Sequence, residues 1–317
     1  MEYLILILSL AGIVLGADFL VKGAVVVARK CRVSSFVIGA VIVGIGTSLP
    51  ELVVSTVGAI GGNSEVAIGN VVGSNIFNVF AILGLTALFF PIAVSRENMK
   101  FEIPFCIAVS ALLMLLVYNF FVGGEPRLGR WDGAALLLVF TSFMWISLRR
   151  GKNSAATVGE SVEEENKSLW FAAFSILGGL AALIVSSNFF VDEAVAIARK
   201  LGVSDAFISI TLLACGTSLP ELAASVTAAV KKDTDMALGN IIGSNIFNAT
   251  MILGTASLIT PLTTGKIGLV DYGAMILAAV LPMIFGIRGK ITRFEGLLML
   301  LCYATYTWYI VTYVMAV

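Results

Sequence analysis

The chain has 317 residues, 59% of them hydrophobic, with a mean hydropathy of +1.00 and only 13% charged residues. A soluble domain carries about one-quarter charged residues, and no water-soluble core of this size could hide so much apolar surface; the chain reads as a membrane protein. Twenty basic residues balance twenty acidic ones and histidine is absent, which argues against a nucleic-acid partner and excludes imidazole-based catalysis and metal ligation.

A membrane span needs roughly 20 apolar residues. That window predicts ten helices, at 3–28, 36–60, 66–90, 101–123, 131–149, 169–198, 206–230, 236–260, 268–287 and 293–315. The first has neither the basic flank nor the cleavage site of a signal peptide and runs on into apolar sequence, so it reads as a span. Strand-like alternation is missing, and the runs are too long for barrel strands. The expected fold is an all-α polytopic membrane protein. One segment, 150–168, is polar and acidic in its second half, and reads as an aqueous linker between five-helix halves at 1–149 and 169–317. Cys31, Cys106, Cys215 and Cys302 stand singly, without a CxxC pair, which speaks against redox or zinc chemistry. With the N-terminus outside, fourteen Lys and Arg fall in inner loops against five in outer ones. The positive-inside rule then places both termini outside the plasma membrane and the linker in the cytoplasm.

The chain repeats itself at an offset of 170 residues. Residues 16–91 align with 186–261 without a gap, and 33 of the 76 positions are identical. GTSLPE at 46–51 recurs at 216–221, and GNVVGSNIFN at 69–78 recurs as GNIIGSNIFN at 239–248. Five spans is an odd number, so the second copy enters the membrane from the opposite side. Ten helices as two inverted repeats is a secondary-transporter architecture, with its site at the midplane.

The closest matches fall on polar residues inside spans. A carboxylate at that depth costs roughly 2.5–3.5 kcal/mol on insertion scales, so Glu51 and Glu221 need either a buried basic partner or a bound cation. Lys22 is the best candidate partner for one, and nothing equivalent serves the other. Thr47, Ser48 and Glu51 are spaced to share one helix face, as are Thr217, Ser218 and Glu221. Pro50 and Pro220 lack an N–H and free the carbonyls of Gly46 and Gly216. Ser74 with Asn78, and Ser244 with Asn248, are i,i+4 pairs offering more oxygen. Asn70, Asn75, Asn240 and Asn245 point to other faces and read as helix–helix hydrogen bonds. An all-oxygen donor set suits Ca2+, which takes 6–8 oxygens, and also Na+. Because the same carboxylates cannot serve both loads at once, exchange by competition follows.

The paired motifs GTSLPE and GSNIFN, once per half, resemble the α-repeats of the Ca2+/cation antiporter superfamily, in particular the prokaryotic sodium/calcium exchangers. The resemblance covers both halves. It implies electrogenic exchange of several Na+ for one Ca2+. It places Thr47, Ser48, Glu51, Ser74, Asn78, Thr217, Ser218, Glu221, Ser244 and Asn248 at ion-binding positions, together with the backbone carbonyls of Gly44 and Ala214. Some archaeal exchangers and the potassium-dependent branch carry Asp where this chain has Asn248, whereas Asn at both 78 and 248 looks like the potassium-independent branch. The proton/calcium branch typically brings His into its repeat helices, which this chain lacks.

The sequence-based expectation is therefore a Na+/Ca2+ antiporter without a cofactor, working in the lipid bilayer; the sequence names no protein partner and leaves a monomer open. The same fold coupled to H+ or carrying another divalent cation is the alternative, and a passive channel is a weaker one. An intramembrane enzyme finds no nucleophile beside a base.

Overall fold

The computed structural model describes residues 2–119, 125–153, 167–201 and 216–314. Among these, eight helices are long and apolar enough to cross a membrane, and a ninth candidate is a pair bent by 47°. In chain order they begin with α1 (Glu2–Cys31), the bent pair α2 (Ser35–Thr47) and α3 (Leu49–Ile60), α4 (Ser64–Phe89), α5 (Asn98–Tyr118) and α6 (Arg130–Asn153). Then follow α7 (Leu169–Lys200), the short α8 (Leu219–Val230), α9 (Thr234–Ile259), α10 (Leu269–Gly286) and α11 (Arg293–Thr312). The chain is thus an all-α polytopic membrane protein. Of the expected span 206–230 only the α8 portion lies within the described residues. Most of the expected linker lies outside them.

Two helices form the centre. In their most apolar stretches α9 is 83% buried and α4 72%, against 11–39% for the other single-helix spans. This follows from composition: both carry Gly, Ser and Asn at the positions where an ordinary span carries Leu, and small residues let helix backbones approach closely. The bent pair α2–α3 packs on both, and α8 packs on α9 and α4. Outside this core α1 and α7 lie against each other along much of their length. Their backbones come close at Gly16 and Gly179, where a Cβ on Gly179 would stand 2.6 Å from the Leu20 nitrogen.

Contacts also cross between the earlier and later parts of the chain. Helix α11 packs on the last turns of α4, and α6 on the last turns of α9. Two-residue antiparallel strands repeat the exchange. β1 (Ile92–Ala93) pairs with β4 (Lys290–Ile291), and β2 (Arg127–Leu128) pairs with β3 (Leu262–Thr263).

Candidate functional site

The break between α2 and α3 falls at Ser48, with φ −84° and ψ 10°. Pro50 stands at the start of α3; it has no N–H for the Gly46 carbonyl, and its ring clashes with the preceding turn. Ser218 and Pro220 repeat this at the start of α8, with φ −93° and ψ 8° at Ser218. Each break leaves Glu51 or Glu221 in the first turn of a helix, where the helix dipole favours a negative charge. Both glutamates are completely buried.

The break also changes what the sequence spacing implies. Thr47, Ser48 and Glu51 do not lie on one continuous helix face, because the axis turns between them. Ser48 instead reaches across to the other half of the chain: its Oγ donates to Glu221 Oε1 at 2.8 Å. Ser218 Oγ donates in return to Glu51 Oε1 at 3.0 Å. Each carboxylate is thereby tied to the serine of the other helix break. Lys22 is not their counter-ion. It pairs with Asp18 at 2.6 Å, and Asp18 also binds Lys231 at 2.7 Å.

The second oxygen of each carboxylate, Oε2, is buried without a hydrogen bond. So are Ser74 Oγ, Thr217 Oγ1, Asn78 Oδ1 and Asn248 Oδ1. A buried polar group left unpaired costs about 1–3 kcal/mol, so six such oxygens on the candidate residues need an explanation. The remaining candidates are engaged. Thr47 Oγ1 donates to the Val43 carbonyl at 3.0 Å and lies 3.3 Å from Asn240 Oδ1. Ser244 Oγ donates to the Gly44 carbonyl at 3.2 Å, and Ser48 N donates to that same carbonyl at 3.1 Å. Ala214 lies outside the described residues.

Asn78 and Asn248 each open a π-helical turn, Asn78–Leu83 and Asn248–Ile252. Such turns widen the helix locally and recur at functional sites. Asn70 and Asn240 hold the glutamate helices from behind. Asn70 Nδ2 binds Ser55 Oγ at 3.0 Å and the Glu51 carbonyl at 3.3 Å. Asn240 binds Ser225 Oγ at 2.8 Å and the Glu221 carbonyl at 3.2 Å. These are the helix–helix bonds expected of them. Asn75 and Asn245 also join helices, but they do so by gripping the amides of Asn248 and Asn78. That proximity to the site is invisible in residue spacing; the recurrence of Asn75 as Asn245 in the repeat is the only sign of it.

The arrangement joins two carboxylates to neutral hydroxyl and amide oxygens in a buried interior. Among the described residues no three His, Cys, Asp or Glu side chains gather as a metal site. Any cation held here meets two charges and otherwise neutral oxygens, a combination that suits reversible binding of a hard cation.

Residues 1–149 and 171–312 match the family described as sodium/calcium exchanger protein. The chain is 35% identical to the sodium/calcium exchanger MaX1 of Methanosarcina acetivorans, over 96% of this chain and 97% of that one. It is 33% identical to the inner membrane protein YrbG of Escherichia coli, over 87% of this chain and 86% of the relative. Among solved structures it resembles the sodium-calcium exchanger NCX_Mj soaked with 10 mM Na+ and no Ca2+. The TM-score is 0.84 at 32% identity, covering 98% of both chains. The chain belongs to the sodium/calcium exchanger protein family.

Proposed function

We infer that this cation antiporter exchanges Na+ for Ca2+ by alternating access, with both ions competing for one midplane site between two inverted five-helix repeats, 1–149 and 169–317. The observation that carries the reading is the pair Glu51 and Glu221, fully buried, each with one oxygen hydrogen-bonded across the halves and one oxygen unpartnered. Two carboxylates match the charge of one Ca2+. The unpartnered oxygens of Ser74, Thr217, Asn78 and Asn248 raise the donor set to six, within the 6–8 that Ca2+ takes. Thr47, Ser48, Ser218 and Ser244, with the carbonyls of Gly44 and Ala214, complete the set that different ions would draw on. The names of MaX1 and NCX_Mj support Na+ and Ca2+ as the pair. No covalent step is involved, and no cofactor is needed.

Alternating access has a natural moving part. Helices α1 and α7 pack mainly on each other and more sparingly on the core, so they can slide as a pair while the site residues stay in place. The protein would sit in the plasma membrane with both termini outside and the 150–168 linker in the cytoplasm, a placement that the Lys and Arg distribution supports.

The test is uptake of radiolabelled Ca2+ into proteoliposomes loaded with Na+, against K+-loaded and proton-gradient controls, for wild type and Glu51→Gln. Uptake that needs internal Na+ and is lost in the variant is the expected result. Uptake driven by the proton gradient would replace the coupling ion, and no Ca2+ flux under any gradient would overturn the proposed substrates.

A further inference from the structure

Asn78 and Asn248 each bring an amide to the site, and an amide has two unlike ends. The oxygen attracts a cation and the NH2 repels it. Both residues leave the oxygen free, and the cause lies one turn earlier in each helix. Asn245 Nδ2 donates to the backbone carbonyl of Asn75 at 3.1 Å. A carbonyl only accepts, so this bond sets which way round the Asn245 amide sits. Its Oδ1 then faces Asn78 and, being an acceptor itself, takes Asn78 Nδ2 at 3.0 Å. Asn78 Oδ1 is left for the site.

The same sequence of bonds runs the other way. Asn75 Nδ2 donates to the Asn245 backbone carbonyl at 3.0 Å, and Asn75 Oδ1 accepts from Asn248 Nδ2 at 3.1 Å. All four asparagines are at most 3% exposed, so water does not compete for these bonds. Each relay starts from a backbone group, whose polarity no side-chain rotation can reverse. Each also crosses the molecule: a residue of α9 orients the amide on α4, and a residue of α4 orients the amide on α9.

We propose that Asn75 and Asn245 are positioning residues of the cation site, holding the oxygen ends of Asn248 and Asn78 toward the ion through two-step hydrogen-bond relays anchored on the opposing backbone. The proposal rests on the ion-binding reading given above. It differs from a role in helix packing alone, because packing has no stake in which atoms the side chain at 248 carries.

That difference supplies the test. Asp at 248 has oxygen at both ends, so its orientation no longer matters. Na+ and Ca2+ binding to the purified full-length protein in detergent would be measured by titration calorimetry for wild type, Asn75→Ala, Asn248→Asp and the double variant. Removing Asn75 is expected to weaken cation binding about tenfold or more when Asn occupies 248, as loss of a partner behind a metal ligand typically does. With Asp at 248 the same removal is expected to cost under about twofold, a clear departure from additivity. An equal loss in both backgrounds, or no loss in either, overturns the relay and leaves the ion site standing. A wild-type protein that binds neither ion overturns both. If Asn75→Ala fails to fold, Asn245→Ala combined with Asn78→Asp runs the mirror cycle with the same criteria.

Discussion

Gly243 of α9 lies against α2 with no room for a side chain. A Cβ there would stand 2.4 Å from the Ala40 Cα, 2.6 Å from its carbonyl oxygen and 2.7 Å from its Cβ, where ordinary contact begins at 3.4 Å. The Cα and carbonyl oxygen are backbone atoms and cannot rotate away, so Gly243→Ala must part α2 from α9 by about 1 Å. Overpacking of this kind costs about 1–3 kcal/mol. The same gap is bridged by the Ser244–Gly44 hydrogen bond at 3.2 Å, and stretching it by 1 Å forfeits roughly 0.5–1.5 kcal/mol more. The repeat provides the control, since a Cβ on Gly73, 170 residues earlier, meets nothing within 4 Å. Both substitutions gain the same helix propensity, about 1 kcal/mol, so the difference between them isolates the clash and the lost bond at about 1.5–4.5 kcal/mol. Thermal unfolding in detergent, followed by tryptophan fluorescence, reads that difference. Gly73→Ala is expected to melt at or above wild type and Gly243→Ala clearly below it. Equal melting temperatures for the two variants would refute the packing argument.

Two further predictions separate binding from stability. Thr217→Val removes a hydroxyl that makes no hydrogen bond, so it should leave the melting temperature unchanged or raised while weakening Ca2+ binding. Thr47→Val removes a hydroxyl bonded to the Val43 carbonyl and should lower the melting temperature by the equivalent of about 1 kcal/mol; the reverse order in paired melts and titrations would contradict both. Asp233 lies between α8 and α9, where burial holds its carboxyl above the usual range despite its bond from Met236 N and the nearby Arg29 charge. The folded state thus binds this proton more tightly than the unfolded chain, a contribution present in acid and lost as pH rises through the raised value. Asp233→Asn keeps an oxygen for Met236 N and has no such proton. Its stability relative to wild type is therefore expected to rise as pH is raised from about 4, and melts that diverge in the opposite sense would rule this out.

Apolar runs were sufficient to find the eight single-helix spans seen among the described residues, because a span in lipid must satisfy all its backbone groups internally and announces itself by length. The 170-residue repeat likewise singled out Glu51, Glu221 and their polar neighbours. What a linear spacing cannot carry is which copy touches which. Ser48 and Glu51 look like partners in sequence, yet each bonds to the other half, because the axis bends at Ser48 and turns the two side chains apart. The roles of Asn75 and Asn245 were hidden for the same reason: their bonds cross between α4 and α9. The two-residue strands left no alternating pattern long enough to read.

Those strands, and the helices beside them, bear on how the protein is made. The last turns of α4 are covered by α11, where Gly296 lies against the backbone of Gly84 and Leu88, and Ile92 pairs with Ile291. A ribosome delivers α4 long before α11, so during synthesis the first repeat waits with an uncovered flank. The last turns of α9, by contrast, meet α6 already in place. The two segments related by the 170-residue repeat are therefore not the units that mature. The cover over the end of α4 must wait for α11, and contacts so distant in sequence form slowly.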